Sequence, residues 1–168
     1  MTSEPVVIIQ TPIRLEYNYT PGVARSRFLN GLAEGRILGE RCERCHKVYV
    51  GGGSGACARD GIPMTEVVEL PHVGTVTTFC VVNVPFAGST VEIPYTTAAI
   101  LLDGADIPLT ALLQEVPAAD VRMGMRVEAV WAPEDERGPT SDSIRYWRPT
   151  GEPDAPIDDV LKRMRADA

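Results

Sequence analysis

The spacing of three cysteines and one aspartate constrains this chain more than any other feature. Cys42-Glu-Arg-Cys45 sets two thiols at the tip of a tight turn, and Cys57-Ala-Arg-Asp60 repeats the spacing with a carboxylate last. Two such knuckles facing each other can close a tetrahedral metal site. Zn²⁺ takes an Asp oxygen at about the distance of an imidazole nitrogen, so three thiolates and one carboxylate suffice. The carrying segment, 38–66, is short and polar, and the run Gly51-Gly52-Gly53-Ser54-Gly55 interrupts it. It is too small to bury a core of its own, and a metal would supply the folding free energy it lacks. The reading is one structural zinc per chain on Cys42, Cys45, Cys57 and Asp60, in a closed site with no open position for a substrate. Two alternatives stand beside it. His46, next to Cys45, takes the place of Asp60, or the second knuckle holds no metal and Asp60 only caps its turn. A redox iron site would want four thiolates.

The rest of the chain can fold conventionally. It has 168 residues, 44% hydrophobic and 23% charged, enough for one ordinary domain or two very small ones. Met1–Gln10 carries Glu4 and lacks the basic start and apolar stretch of a secretory signal. The uncharged run 74–91 has the length of a membrane span, but its threonines, Asn83, Pro85 and Gly88 read as a strand and a loop. A cytoplasmic protein is expected, with no membrane partner, and in that compartment the cysteines are not expected to pair as disulfides.

Residues 1–37 read as an extended arm followed by a helix. Thr20-Pro21 supplies the N-cap and first-turn proline, and Phe28, Leu29, Leu32 and Ile37 recur at helical spacing. Gly31 and Gly35 weaken that helix, so it depends on packing. After the knuckle unit at 38–66, residues 67–149 are strand-rich. Val67–Leu70 and Gly74–Val84 read as one long strand bent at Pro71 and Gly74. Tyr95–Leu102 and Ile107–Val116 follow, joined by the Asp-Gly turn signal of Asp103-Gly104, and Arg126–Trp131 and Ser143–Trp147 complete the set. Cys80, in mid-strand, is expected to be a buried thiol. Five strands, the first long and bent, outline an OB-fold barrel. In the tail, 150–168, a helix from Ile157 to Met164 carries acids early and bases late, as the helix dipole prefers. The expected fold is therefore mainly β: an N-terminal helix, a zinc ribbon, a five-stranded OB-fold barrel and a C-terminal tail helix.

This arrangement resembles the family once called domain of unknown function thirty-five, a rubredoxin-like zinc ribbon joined to an OB-fold. The resemblance runs from Ser26 to Pro149. It rests on Arg27-Phe28-Leu29-x-Gly31-Leu32-x-x-Gly35, Gly39-Glu-Arg-Cys42-x-x-Cys45 and Cys57-x-x-Asp60. In the barrel it continues through Gly74-Thr-Val-x-Thr-Phe79, Ile93-Pro94-Tyr95, Leu101-Leu102-Asp103-Gly104 and Met123-Gly124-Met125-Arg126-Val127. The family usually has a fourth cysteine where this chain has Asp60. The resemblance implies a small partner subunit of a thiolase-superfamily enzyme, a thiolase or a lipid-transfer-protein-like aldolase, in a hetero-oligomer that processes acyl-CoA. The composition and the run from Arg122 to Trp131 look most like members that act in steroid side-chain degradation.

The residues themselves support a helper. His46 lies in a knuckle and His72 beside a strand bend, so no Ser-His-acid constellation can be assembled, and no phosphate loop follows the glycine run. No catalytic residue is assigned. The net charge of -7 disfavours binding to phosphate backbones. That charge is uneven: six basic and three acidic residues lie in 21–47, five basic and eleven acidic in 67–148. The basic end (Arg25, Arg27, Arg36, Arg41, Arg44 and Lys47) is a candidate surface for coenzyme A phosphates or for an acidic patch on a partner, and ordinary surface charge accounts for it equally well. Phe86, in the loop Pro85–Thr90, is a further candidate contact, or else a plug in the barrel mouth. A nucleic-acid-binding ribbon and OB-fold is the alternative function; it needs a basic groove with exposed aromatics.

Overall fold

The computed structural model describes residues 15–51, 53, 55–85 and 91–165. Phe86 lies outside them. Helix α1 (Gly22–Ala33) opens the described fold after an irregular, exposed stretch that includes Leu15, Tyr17 and Tyr19. Phe28, Leu29 and Leu32 pack inward. A Cβ on Gly31 would fall 2.9 Å from the Leu38 side chain, so the missing side chain lets the helix lie close on the next strand. Two local expectations change here. Pro21 itself stands at the N-cap, and no side chain caps the helix, Thr20 included. The helix also stops at Ala33, so Ile37 belongs to a strand and not to the helical face.

That strand is β1 (Ile37–Arg41). With β2 (Val48–Val50) and β3 (Glu66–Leu70) it forms an antiparallel sheet in the order β2-β1-β3. Residues 67–70 therefore do not lead into the barrel as the first half of a long strand. They pair with β1, Leu70 opposite Ile37 and Val68 opposite Gly39, and the chain changes sheets at Pro71-His72.

The barrel is built from β4 (Val73–Val82), β5 (Tyr95–Leu102), β6 (Leu109–Leu113), β7 (Arg126–Trp131) and β8 (Ile144–Pro149). They close in the order β4-β5-β6-β8-β7, with β7 returning to β4. Counted along the barrel's own strands this is 1-2-3-5-4, the OB-fold arrangement. Every pairing is antiparallel except β6 with β8, which meet at the single rung Leu113–Trp147. The register shift between Val76 and Thr78 marks a bulge in β4, where the sequence placed the bend at Pro71 and Gly74. Before the bulge, β4 pairs with β7 as well as β5; from Thr78 onward its ladder is with β5. Cys80 lies on this outer half and is exposed, not buried as expected, and Phe79 beside it is 36% exposed.

One apolar core serves helix, ribbon sheet and barrel. Leu32 from α1 and Ile37, Val48 and Leu70 from the sheet join Val76, Ile100, Leu102, Val127 and Trp147 of the barrel. Helix α2 (Ile157–Arg165) adds Val160 and Met164 at its margin. Polar ties meet at the β5–β6 turn. Asp106 accepts from the Val48 amide at 2.8 Å and its own amide donates to the Val48 carbonyl at 2.9 Å, which fastens the ribbon sheet to the barrel. Arg163 of α2 donates to the carbonyls of Leu102 and Ala105. The ribbon's small size is thus met partly by a core it shares.

Candidate metal centre

The two knuckles adopt the same backbone conformation. In the first, Cys42 N–H donates to Lys47 O and His46 N–H to Cys42 O; in the second, Cys57 N–H donates to Ile62 O and Gly61 N–H to Cys57 O, all at 2.9–3.0 Å. The fifth residue of each turn is left-handed, with φ of 59° at His46 and 66° at Gly61. Glycine adopts this freely, whereas histidine does so at some cost. Asp60 therefore occupies in the second turn the position that Cys45 occupies in the first. The second knuckle has the shape of the first, with a carboxylate where the first has a thiol.

The donor atoms of Cys42, Cys45, Cys57 and Asp60 lie within 4.8 Å of one another, with the three cysteines buried. Cys45 Sγ is 3.6 Å from Cys57 Sγ, and Asp60 Oδ2 is 3.3 Å from Cys42 Sγ and 3.5 Å from Cys57 Sγ. Two Zn–S bonds of about 2.3 Å at the tetrahedral angle hold their sulfurs about 3.8 Å apart, and a Zn–O bond of about 2.0 Å puts oxygen about 3.5 Å from sulfur. These three spacings match a tetrahedral ion, and all four donors lie close enough together to fit a metal. His46 is exposed and stands outside the cluster, which removes it as the alternative fourth ligand.

The electrostatics of the cluster are uneven. Burial pushes the Cys45 thiol up to about 12. At Cys57 burial acts in the same direction, but hydrogen bonds from the Tyr49 hydroxyl and from the Asp60 and Arg59 amides outweigh it, and the thiol falls to about 7. Hydrogen bonding to Cys45 foremost, with Cys42 and Cys57, holds Asp60 below the usual carboxylate range, and nearby Arg44 adds to this. Tyr49 escaped the sequence reading because nothing in its spacing sets it apart from an ordinary β2 residue.

The basic candidates are largely engaged within the chain. Arg25 donates to Gly51 O at 3.0 Å, Arg27 pairs with buried Glu40 at 2.6 Å and Arg36 with Glu69 at 2.8 Å. Arg41 lies 3.5 Å from Glu66, and Lys47 reaches Met164 O at 3.4 Å. Arg44 is exposed at the tip of the first knuckle. A groove of about 630 Å³ runs between α1, β6 and β8, where Arg25, Phe28 and Leu32 stand opposite Leu109–Leu112 and Ile144–Trp147. In an OB-fold, strands two and three and the adjoining loops form the oligonucleotide-binding face. Here the β6 part of that face lines the groove beside α1. No helix among the described residues is long and apolar enough to cross a membrane.

A cysteine-rich ribbon joined through a shared core to a closed OB barrel defines a class of protein, and comparison with known proteins specifies it further. Residues 67–132 match the family model described as ChsH2, C-terminal OB-fold domain. Seven solved chains are similar. One, titled Ltp2-ChsH2(DUF35) aldolase, aligns with a TM-score of 0.58 at 21% identity, over 81% of this chain and 98% of that one. Another, a DUF35-family protein of unknown function from Sulfolobus solfataricus, aligns with a TM-score of 0.53 at 20% identity, over 65% of this chain and 78% of that one. No curated protein matches the sequence. The family model thus places residues 67–132 with the ChsH2 C-terminal OB-fold domain, and the solved chains share the fold.

Proposed function

We propose that this chain is a non-catalytic accessory subunit of a thiolase-superfamily enzyme, a thiolase or a retro-aldolase. In this reading it supports carbon–carbon bond cleavage in acyl-CoA, in steroid or lipid side-chain degradation in the cytoplasm, and the partner carries out the chemistry. The observation that carries the proposal is the ChsH2-type barrel at 67–132, together with an alignment that covers nearly the whole of a chain from a structure titled as an Ltp2-ChsH2 aldolase. The chain's own chemistry is consistent with this. Its one cluster of metal-binding side chains among the described residues is a closed four-donor set. Such a site holds structural zinc and leaves no position for substrate.

The ribbon and the basic end, with Arg44 at its tip, face the partner or its coenzyme in this reading, and the acidic barrel stays outward. Phe86 remains a candidate contact. The nucleic-acid reading is weaker, because the barrel is acidic.

Co-expression with the thiolase-like enzyme of the same organism tests the proposal. The two should elute as one complex that cleaves acyl-CoA, and the isolated chain should turn over none. Cleavage by the isolated chain would overturn the helper role, and tight, salt-sensitive capture of single-stranded DNA would favour the alternative.

A further inference from the structure

The likeness between the knuckles extends past their turns. Seven residues beyond the first cysteine of each stand Tyr49 and Met64, and both side chains pack against the cysteine cluster. Their contributions differ. The Tyr49 hydroxyl lies 3.4 Å from Cys57 Sγ, so the strand that follows the first knuckle reaches the leading cysteine of the second. Met64 has no hydrogen to give. Cys57 also receives the Asp60 amide at 3.4 Å. The centre is therefore asymmetric: the Tyr49 hydroxyl meets a cysteine of the knuckle that carries the carboxylate, and Met64 offers no counterpart to the other knuckle.

We propose that Tyr49 is a positioning residue of the metal centre. Its hydroxyl donates to the Cys57 thiolate, fixes the direction of that sulfur and draws charge from it. Three thiolates and a carboxylate around a divalent ion leave a negative centre in a buried place, and hydrogen bonds to the donors are the means of spreading that charge. The inference rests on reading the ribbon as a metal site.

Cobalt(II) substitution tests it. A hydrogen bond lowers the energy of the sulfur lone pair and so raises the energy of sulfur-to-cobalt charge transfer. Tyr49→Phe, which removes one oxygen, should move that band to longer wavelength and speed extraction of cobalt by a chelator about tenfold or more, the scale of such losses. Met64→Leu, at the equivalent packing position, should leave both unchanged. Replacing Tyr49 with 3-fluorotyrosine keeps the shape and strengthens the donor, and should shift the band the opposite way; this variant carries the test if Tyr49→Phe loses its fold. An unshifted band in both Tyr49 variants, or equal effects from Met64→Leu, would overturn the proposal. Failure of the unaltered protein to bind cobalt or zinc would instead overturn the metal reading itself.

Discussion

Arg126 grips Asp103 with both guanidinium ends, Nη1 on Oδ1 at 2.8 Å and Nη2 on Oδ2 at 2.7 Å. The same Nη1 reaches Thr75 Oγ1 at 2.9 Å, so one side chain on β7 ties the β5–β6 turn to β4. Three of the motifs behind the family resemblance, Gly-Thr-Val-x-Thr-Phe, Leu-Leu-Asp-Gly and Met-Gly-Met-Arg-Val, meet in this contact. Arg126 is mostly buried, and its fork matches the carboxylate. Arg126→Ala should cost about 2–3 kcal/mol in urea unfolding followed by tryptophan fluorescence, and Arg126→Lys, which keeps the charge but loses the fork, about 1–2 kcal/mol. Unchanged stability in both would mean that desolvation cancels the pair.

Removing the carboxylate should empty the ribbon. Native mass measurement should find one zinc per chain in the unaltered protein and none in Asp60→Ala. Asp60→Cys should keep the ion, because the second knuckle already has the backbone geometry of the first. Zinc retained in Asp60→Ala would show that three cysteines suffice.

The link between ribbon and barrel is open to a local test. Asp106→Ala leaves the Val48 amide without its side-chain acceptor. A buried donor left unpaired costs about 1–3 kcal/mol. Hydrogen exchange at Val48 should quicken, while exchange at Ile100 in the barrel should change only by the fall in global stability. Equal protection at Val48 before and after would remove Asp106 from the link.

His72 should give the fold a pH dependence. Burial holds its imidazole below the ordinary range, against the pull of Glu69 and with the help of Arg137. Its Nδ1 accepts the Trp131 indole N–H at 3.1 Å, a bond that needs the neutral ring. The folded value is depressed, so the contribution is present in full above the unfolded value of about 6.5 and is lost as pH falls from there toward the folded value. In His72→Gln the stability measured between pH 7 and 5 should fall less steeply than in the unaltered protein. Identical slopes would dismiss the histidine as the source.

Much of this was legible in the chain because the signals were local. The spacing of Cys42, Cys45, Cys57 and Asp60 specified the cluster, and alternation and turn residues found the barrel strands; Tyr95–Leu102 and Arg126–Trp131 fall where they were expected. The misreadings concern non-local choices. Nothing in Val67–Leu70 states that it pairs with Ile37 rather than continuing into β4, since both partners are apolar strands. Cys80 looks buried by composition, and it is exposed because the outer half of β4 lies beyond the β7 ladder. Tyr49 takes its role from a contact across the ribbon that no periodicity encodes.

The core common to Leu32, Ile37, Val48 and the barrel has a consequence for how such proteins can change. A ribbon exchanged for another would leave uncovered apolar surface on the barrel unless its inward residues matched in shape. The two parts must therefore match in shape, and the seam between them constrains exchange of the ribbon as a whole.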